Sequence, residues 1–196
     1  KPIFLFVSHL HVDHICGFHV LPKFKFKQRL TILGAPDSKK YLKIFLNHPF
    51  TASSRELATE TKVIALKEGT HHTPFDFECR SLQHVDRTFG YRVTLDGRTI
   101  TYCLDTAVCE NDLMLARGAD ILIHECSHLS GKEGEWGHTN PEQAAELAKA
   151  AGVGKLFLTH FSASSYDAQK RKEAEKIARC IFPDSFSAYD GLEIEL

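Results

Sequence analysis

The sequence predicts an α/β fold, on three observations. Strand-length apolar runs alternate with amphipathic helical stretches through the second half of the chain. Turn residues separate the runs, as in Asp96-Gly97 and Gly152. The composition, 43% apolar and 25% charged over 196 residues, suits one compact domain with a sizeable core. Disorder, collagen and coiled coil are excluded, and the longest early apolar run, Ile3 to Val7, falls far short of the roughly 20 residues of a membrane-spanning helix.

The elements follow in order. Ile3 to Val7 is a continuous apolar run, the pattern of a strand buried on both faces. Leu30 to Leu33 reads as a strand, and Gly34-Ala35-Pro36-Asp37 opens a helix through about Leu46, with Tyr41, Leu42, Phe45 and Leu46 on one face. Strands are expected at Lys62 to Leu66, Phe75 to Leu82, Gly90 to Leu95 and Thr99 to Leu104, the last two joined by an Asp96-Gly97 hairpin turn, with His71-His72 in a turn. Then come a helix near Asn111 to Arg117, a strand Ile121 to His124, a helix Pro141 to Ala151, a strand Lys155 to Thr159 and a helix Ala168 to Ile181. Asn140, Pro141, Gln143 and Gly152 carry the start and stop signals of the second of these helices. Short strands Phe186 to Tyr189 and Leu192 to Leu196 end the chain.

Charge and cysteine narrow the function. With 24 Lys+Arg against 25 Asp+Glu the net charge is -1, which argues against indiscriminate capture of nucleic acid. Six scattered cysteines read as reduced thiols of a cytoplasmic protein. Histidine is the outlier, at 12 residues. Ser8 to His14 reads Ser-His-Leu-His-Val-Asp-His, directly after the first strand. Histidines at i and i+2 on an extended loop can converge on one metal ion, and the Asp and His that follow can turn to a second. Further ligands are expected at strand ends, where backbone is rigid, and His84, Asp105 and His160 stand there.

This HxHxDH loop, followed in order by a His, an Asp and a His at strand ends, resembles the metallo-β-lactamase superfamily in its ribonuclease Z-like branch. Gly90-Tyr91-Arg92, Cys103-Leu104-Asp105-Thr106, His124-Glu125-Cys126-Ser127, Gly137-His138-Thr139 and Leu158-Thr159-His160-Phe161-Ser162 carry the rest of the likeness. The resemblance implies an αββα sandwich with two divalent metal ions, zinc or manganese, at one edge. His9, His11 and His84 would hold the first ion, Asp13, His14 and His160 the second, and Asp105 would bridge them. His138 resembles a non-ligand histidine that gives a proton or stabilises phosphoryl charge, and Glu125 the carboxylate that orients it; with Asp13 these make the expected catalytic set. Because the family places strands ahead of the HxHxDH strand, about 50 further residues before Lys1, or strands from a partner chain, are expected.

The expected function is hydrolysis of phosphodiester bonds in a nucleotide-like or RNA substrate, with no membrane partner and with a homo-oligomer left open. The alternatives are a tRNA 3′-end endonuclease and, in a different class, a non-hydrolytic metal-binding protein on the same fold. Tyr91 and Asp105 leave no room for the long arm of tRNA-processing relatives, and no Arg follows the His160 motif, so weak action on precursor tRNA is expected. Lys23 to Arg29 alternates Lys and Phe, which would receive phosphates or guard a sheet edge. His19, His48, His71, His72, His124 and His128 are assigned structural or solvated places.

Overall fold

The computed structural model describes residues 1–73, 75–134 and 136–195, and the chain divides into two compact units, Lys1–Lys67 and Glu68–Leu196. In the first, a parallel sheet is built from β1 (Ile3–Phe6), β2 (Leu30–Gly34) and β3 (Thr61–Ala65), in the order β1-β2-β3. The expected burial on both faces belongs to the central strand β2, every residue of which is buried, and not to β1, whose Leu5 is 37% exposed. Within this sheet β1 pairs with β2, whereas β2 is flanked by both β1 and β3. Between β1 and β2 lie a short helix α1 (Val12–Ile15) and a 3₁₀ helix Cys16–Lys23, neither legible as an apolar period. Helix α2 (Ser38–Phe45) packs Leu42, Phe45 and the following Leu46 on the core, a spacing of i, i+3, i+4. Tyr41, expected on that face, is 45% exposed instead and carries Lys40 above its ring.

The second unit holds a seven-stranded sheet among the described residues. Its chain order is β4 (Gly69–His71), β5 (Phe77–Leu82), β6 (Thr88–Leu95), β7 (Arg98–Cys103), α3 (Glu110–Ala116), β8 (Ile121–Glu125), α4 (Pro141–Ala151), β9 (Lys155–Thr159), α5 (Ala168–Ile181) and β10 (Ser185–Ser187). Strands β4 to β7 pair antiparallel, and β7, β8, β9 and β10 pair parallel through the crossover helices α3, α4 and α5. The β6–β7 turn has both Asp96 and Gly97 at positive φ, 51° and 77°, the geometry a two-residue hairpin requires. His71 lies in β4 rather than in a turn, paired to Phe77 and stacked on its ring at 4.7 Å. No strand covers 192–195, and Leu196, the last residue of the strand expected there, lies outside the described residues.

Helix α4 has its expected bounds because its caps are local chemistry. The Asn140 side chain accepts from Gln143 N at 2.9 Å, Gln143 Oε1 accepts from Asn140 N at 3.2 Å, and Gly152 closes the helix at φ 64°. Its small face, Ala144, Ala145 and Ala148, packs with Leu115, Leu122, Leu156 and Leu158 into the core of this unit. One polar pair is embedded there. His124 on β8 and Asp112 on α3 are both fully buried with Nε2 and Oδ2 3.5 Å apart, and His124 Nδ1 donates to Glu125 O at 2.9 Å. Burial alone would lower His124, but hydrogen bonding and charge attraction from Asp112 outweigh it and raise its pKa above the ordinary 6.5.

A raised histidine contributes stability below its unfolded pKa and loses that contribution as pH climbs through its folded value. Asp112→Asn keeps an acceptor for the Cys109 backbone N–H and removes the charge. Thermal unfolding should show a deficit of about 3 kcal/mol near pH 6 that shrinks toward pH 9. A deficit independent of pH would assign the pair to packing alone.

Candidate functional site

In the first unit the site residues follow β1 directly. Ser8 and His9 are buried, at 4% and 1% exposure, and His9 Nδ1 lies 3.1 Å from Ser8 Oγ. His11 is extended, at φ −61° and ψ 149°, and caps α1, so that Asp13 and His14 sit on a helical turn and not on the extended loop expected. This turn brings the ring of His9 to 4.4 Å from that of His11 and 4.2 Å from that of His14. Asp13 stands at the rim, with a side chain 64% exposed and Oδ2 3.4 Å from His14 Nε2.

In the second unit His84, Asp105, Glu125 and His160 lie at or just beyond strand ends, and His138 lies in the loop that enters α4. Asp105 follows β7 and His160 follows β9, and both take left-handed backbone, at φ 48° and 52°. For residues other than glycine this conformation costs on the order of 1–3 kcal/mol and persists only where the surroundings hold it. Here it turns both side chains toward each other: Asp105 Oδ1 is 3.4 Å from His160 Nε2, and Asp105 Oδ2 is 4.0 Å from His84 Nε2. His84 Nδ1 donates to Gly137 O at 3.3 Å, which leaves Nε2 with the lone pair a metal needs.

His138 is held by Glu125, its Nδ1 donating to Oε1 at 2.7 Å. Glu125 is wholly buried, yet its carboxylate is satisfied, accepting also from Thr106 N at 2.9 Å and Ser127 N at 2.8 Å. Thr139 Oγ1 donates to Thr106 O at 2.6 Å, which ties the loop beyond His138 to the loop beyond β7. With Nδ1 committed to Glu125, His138 presents Nε2 as its proton donor or acceptor. Asp105, His138 and His160 each offer one ligand atom, and these lie within 4.8 Å of one another.

The donors are thus imidazole and carboxylate, a set that suits divalent zinc or manganese. No cysteine belongs to these groups among the described residues, and burial pushes the Cys126 thiol up to about 12 and Cys103 well above the usual thiol range. Cys126 packs, with its Sγ 3.6 Å from Tyr166 Oη. Trp136, which precedes the site in sequence, is 66% exposed.

Of the histidines assigned structural or solvated places, His128 has its ring 5.7 Å from that of His138. Gly137 was missed as a determinant, although its place immediately before His138 was the signal. At φ 71° its hydrogen faces Gln83 O, and an added Cβ would meet that oxygen at 2.6 Å and His84 Cα at 2.9 Å. Gly137→Ala should therefore move both His84 and His138, lowering turnover at least about tenfold and unfolding stability by about 1–3 kcal/mol. Wild-type kinetics in that variant would show that the close approach does not position the pair.

The β-lactamase superfamily domain family matches residues 2–161. The Ribonuclease Z of Bacillus licheniformis is 30% identical, over 98% of this chain and 80% of that protein, and the Ribonuclease Z of Trichodesmium erythraeum is 28% identical over 98% and 78%. Among solved structures, the metallo-β-lactamase fold protein YhfI of Bacillus subtilis superposes with a TM-score of 0.79 at 26% identity, covering 96% of this chain and 75% of that one. The short form of human tRNase Z shares the fold, with a TM-score of 0.74 at 24% identity, over 98% and 78%. Matched along most of its length by the family and along nearly all of it by relatives, the chain belongs to the β-lactamase superfamily and, within it, to the ribonuclease Z-like metal-dependent hydrolases, with the metallo-β-lactamase fold.

Proposed function

We propose that the chain hydrolyses phosphodiester bonds in RNA or a nucleotide-like substrate, in the cytoplasm, with two divalent cations, zinc or manganese. The observation that carries the reading is the buried Glu125 carboxylate aiming His138 at the group formed with Asp105 and His160. A protein that merely stored metal would have no use for a histidine oriented by a buried carboxylate. In this reading His9, His11 and His84 hold one cation, Asp13, His14 and His160 the other, and Asp105 serves both. The order of these residues in the family motif supports it, as do the donor sets that each unit presents. Divalent cations held there neutralise phosphoryl charge and make water acidic enough to attack near neutral pH.

The chain's own residues supply the remainder. His138 Nε2 gives a proton to the leaving oxygen or donates to the phosphoryl group, while Glu125 keeps its charge and direction. Asp13, exposed at the rim, is the carboxylate that incoming water and substrate meet first. The cytoplasmic placement is supported by six unbridged cysteines, and among the described residues no helix is long and apolar enough to cross a membrane.

A metal assay paired with turnover of bis(p-nitrophenyl) phosphate tests the site. Close to two cations per chain are expected, and Asp105→Ala should lose both metal and activity, beyond the 10- to 100-fold typical of an outer-sphere change. His138→Ala should keep both cations while turnover falls about 100-fold or more, less for substrates with good leaving groups. Loss of a cation in His138→Ala would make it a ligand, as its distance to Asp105 and His160 allows, and a metal-replete wild type with one cation would end the two-cation reading.

The tRNA 3′-end endonuclease reading keeps its support from the names of the relatives. One observation ranks it second: the β6–β7 hairpin closes through Asp96-Gly97 alone, leaving no arm there to grip a folded RNA. Turnover of precursor tRNA should be slower than that of small phosphodiesters, because few phosphate contacts hold the folded RNA, and it should fall with salt by the modest slope that those few contacts set. Efficient site-specific cleavage at physiological salt would reverse the ranking.

A further inference from the structure

We propose that Phe24 and Phe26, with Lys23, Lys25 and Lys27, form a stacking platform for single-stranded RNA. The inference rests on the phosphodiester reading and names where such a substrate is gripped. The seven residues from Lys23 to Arg29 are all exposed, and no strand covers 24–29. The lysines therefore guard no sheet edge, which removes the bland explanation of the Lys-Phe alternation. Instead the rings of Phe24 and Phe26 stand 5.2 Å apart at an interplanar angle of 10°, while 43% and 38% of these residues remain exposed. Two parallel rings left in water are unfavourable unless something covers them.

The pair is held in place beforehand. Phe26 N donates to Thr59 Oγ1 at 2.9 Å, and the same hydroxyl donates to Phe24 O at 3.1 Å, with Thr59 itself buried. Phe24 N donates to Leu21 O at 3.0 Å, which seats the segment on the end of the 3₁₀ helix. Arg29 is engaged by Glu60 at 3.3 Å, whereas Lys23, Lys25 and Lys27 pair with no carboxylate among the described residues.

An occupant must offer flat faces to the rings and repeated negative charge to the lysines. A single strand of RNA does both, since its bases are unstacked and every nucleotide carries a phosphate. Duplex RNA hides its base faces, and a lipid surface would be entered by splayed rings rather than by a closed stack. The platform also lies near Asp13 and His14 in the same unit. The eight-residue 3₁₀ helix Cys16–Lys23 leads from the α1 turn of Asp13 and His14 to Phe24, and at about 2 Å rise per residue it spans roughly 16 Å, or about five stacked nucleotides.

The test uses fluorescence anisotropy of a labelled single-stranded RNA of about 12 nucleotides on a His138→Ala background, which slows cutting. Phe24→Ala/Phe26→Ala should weaken binding about tenfold or more, and Phe24→Leu/Phe26→Leu should do the same although it keeps apolar bulk and the fold. Lys25→Ala should lower the salt slope by about 0.7. With His138 intact, both double variants should turn over bis(p-nitrophenyl) phosphate within about twofold of the parent. Unchanged RNA affinity in the leucine pair, equal affinity for duplex RNA, or loss of phosphatidylserine-vesicle binding or of self-association in place of RNA binding would each overturn the platform. A parent that binds RNA through these rings but hydrolyses no phosphodiester would sink the catalytic reading and leave the platform standing. Normal hydrolysis of the small diester with RNA binding indifferent to the rings would do the reverse.

Discussion

The arrangement in the second unit depends on one buried carboxylate. Glu125 ends β8 with no exposure to water, a position that an ionised side chain tolerates only when its oxygens are occupied. Two of its three donors are backbone amides, Thr106 just past Asp105 and Ser127 two residues along its own loop. The third is His138. A single side chain thereby joins the loop after β7, the loop after β8 and the entry to α4. Removing it would leave three donors without their acceptor, so Glu125 fixes the loops and the direction of the His138 ring through the same contacts.

Strain is concentrated where function is read. Among the described residues, positive φ outside glycine occurs at Asp96 in the hairpin turn, at Trp136 just before the His138 loop, and at Asp105 and His160. The last two end parallel neighbours' crossover strands, where a strand that simply continued would carry its side chain away along the sheet. A left-handed residue instead turns the chain sharply and points the Asp105 or His160 side chain back over the strand end. The cost is borne by the sheet registers behind them, Cys103 against His124 and Glu125 against Thr159, and by the fully buried Asp112–His124 pair that anchors β8 to α3.

Much of this was legible in the sequence, for physical reasons that differ by element. Helices α4 and α5 and strand β9 were read with their observed bounds, because caps and apolar periods are local signals that packing merely reinforces. The strand ends before His84, Asp105 and His160 were legible because short runs suited to strands stop there. What escaped depends on tertiary context. Burial of β1 could not be told from that of β2 by composition, since both are apolar and their difference is one of edge against centre. Nor does an apolar period announce the helical turn at Asp13 and His14, because its buried residue is Ile15 alone. Asp112 and His124 read as ordinary polar residues until the crossover brings β8 against α3.

Substrate preference then becomes a question of where positive charge is concentrated, not of how much there is. At a net charge of -1 the chain as a whole repels and attracts a polyanion almost equally. The Bacillus licheniformis relative aligns over 251 positions against a chain of 196 residues, so it carries internal segments that this chain does not. Here β6 and β7 meet through two residues, and nothing at that point extends toward a folded RNA. Three lysines spaced two apart around a fixed aromatic stack remain as a short, local attraction. Such a patch engages a few nucleotides of flexible strand and gives little grip on a rigid tertiary fold, since binding to the latter scales with phosphates met over a wide surface. The same small set of contacts therefore favours short or single-stranded phosphodiesters while requiring no additional domain to hold them.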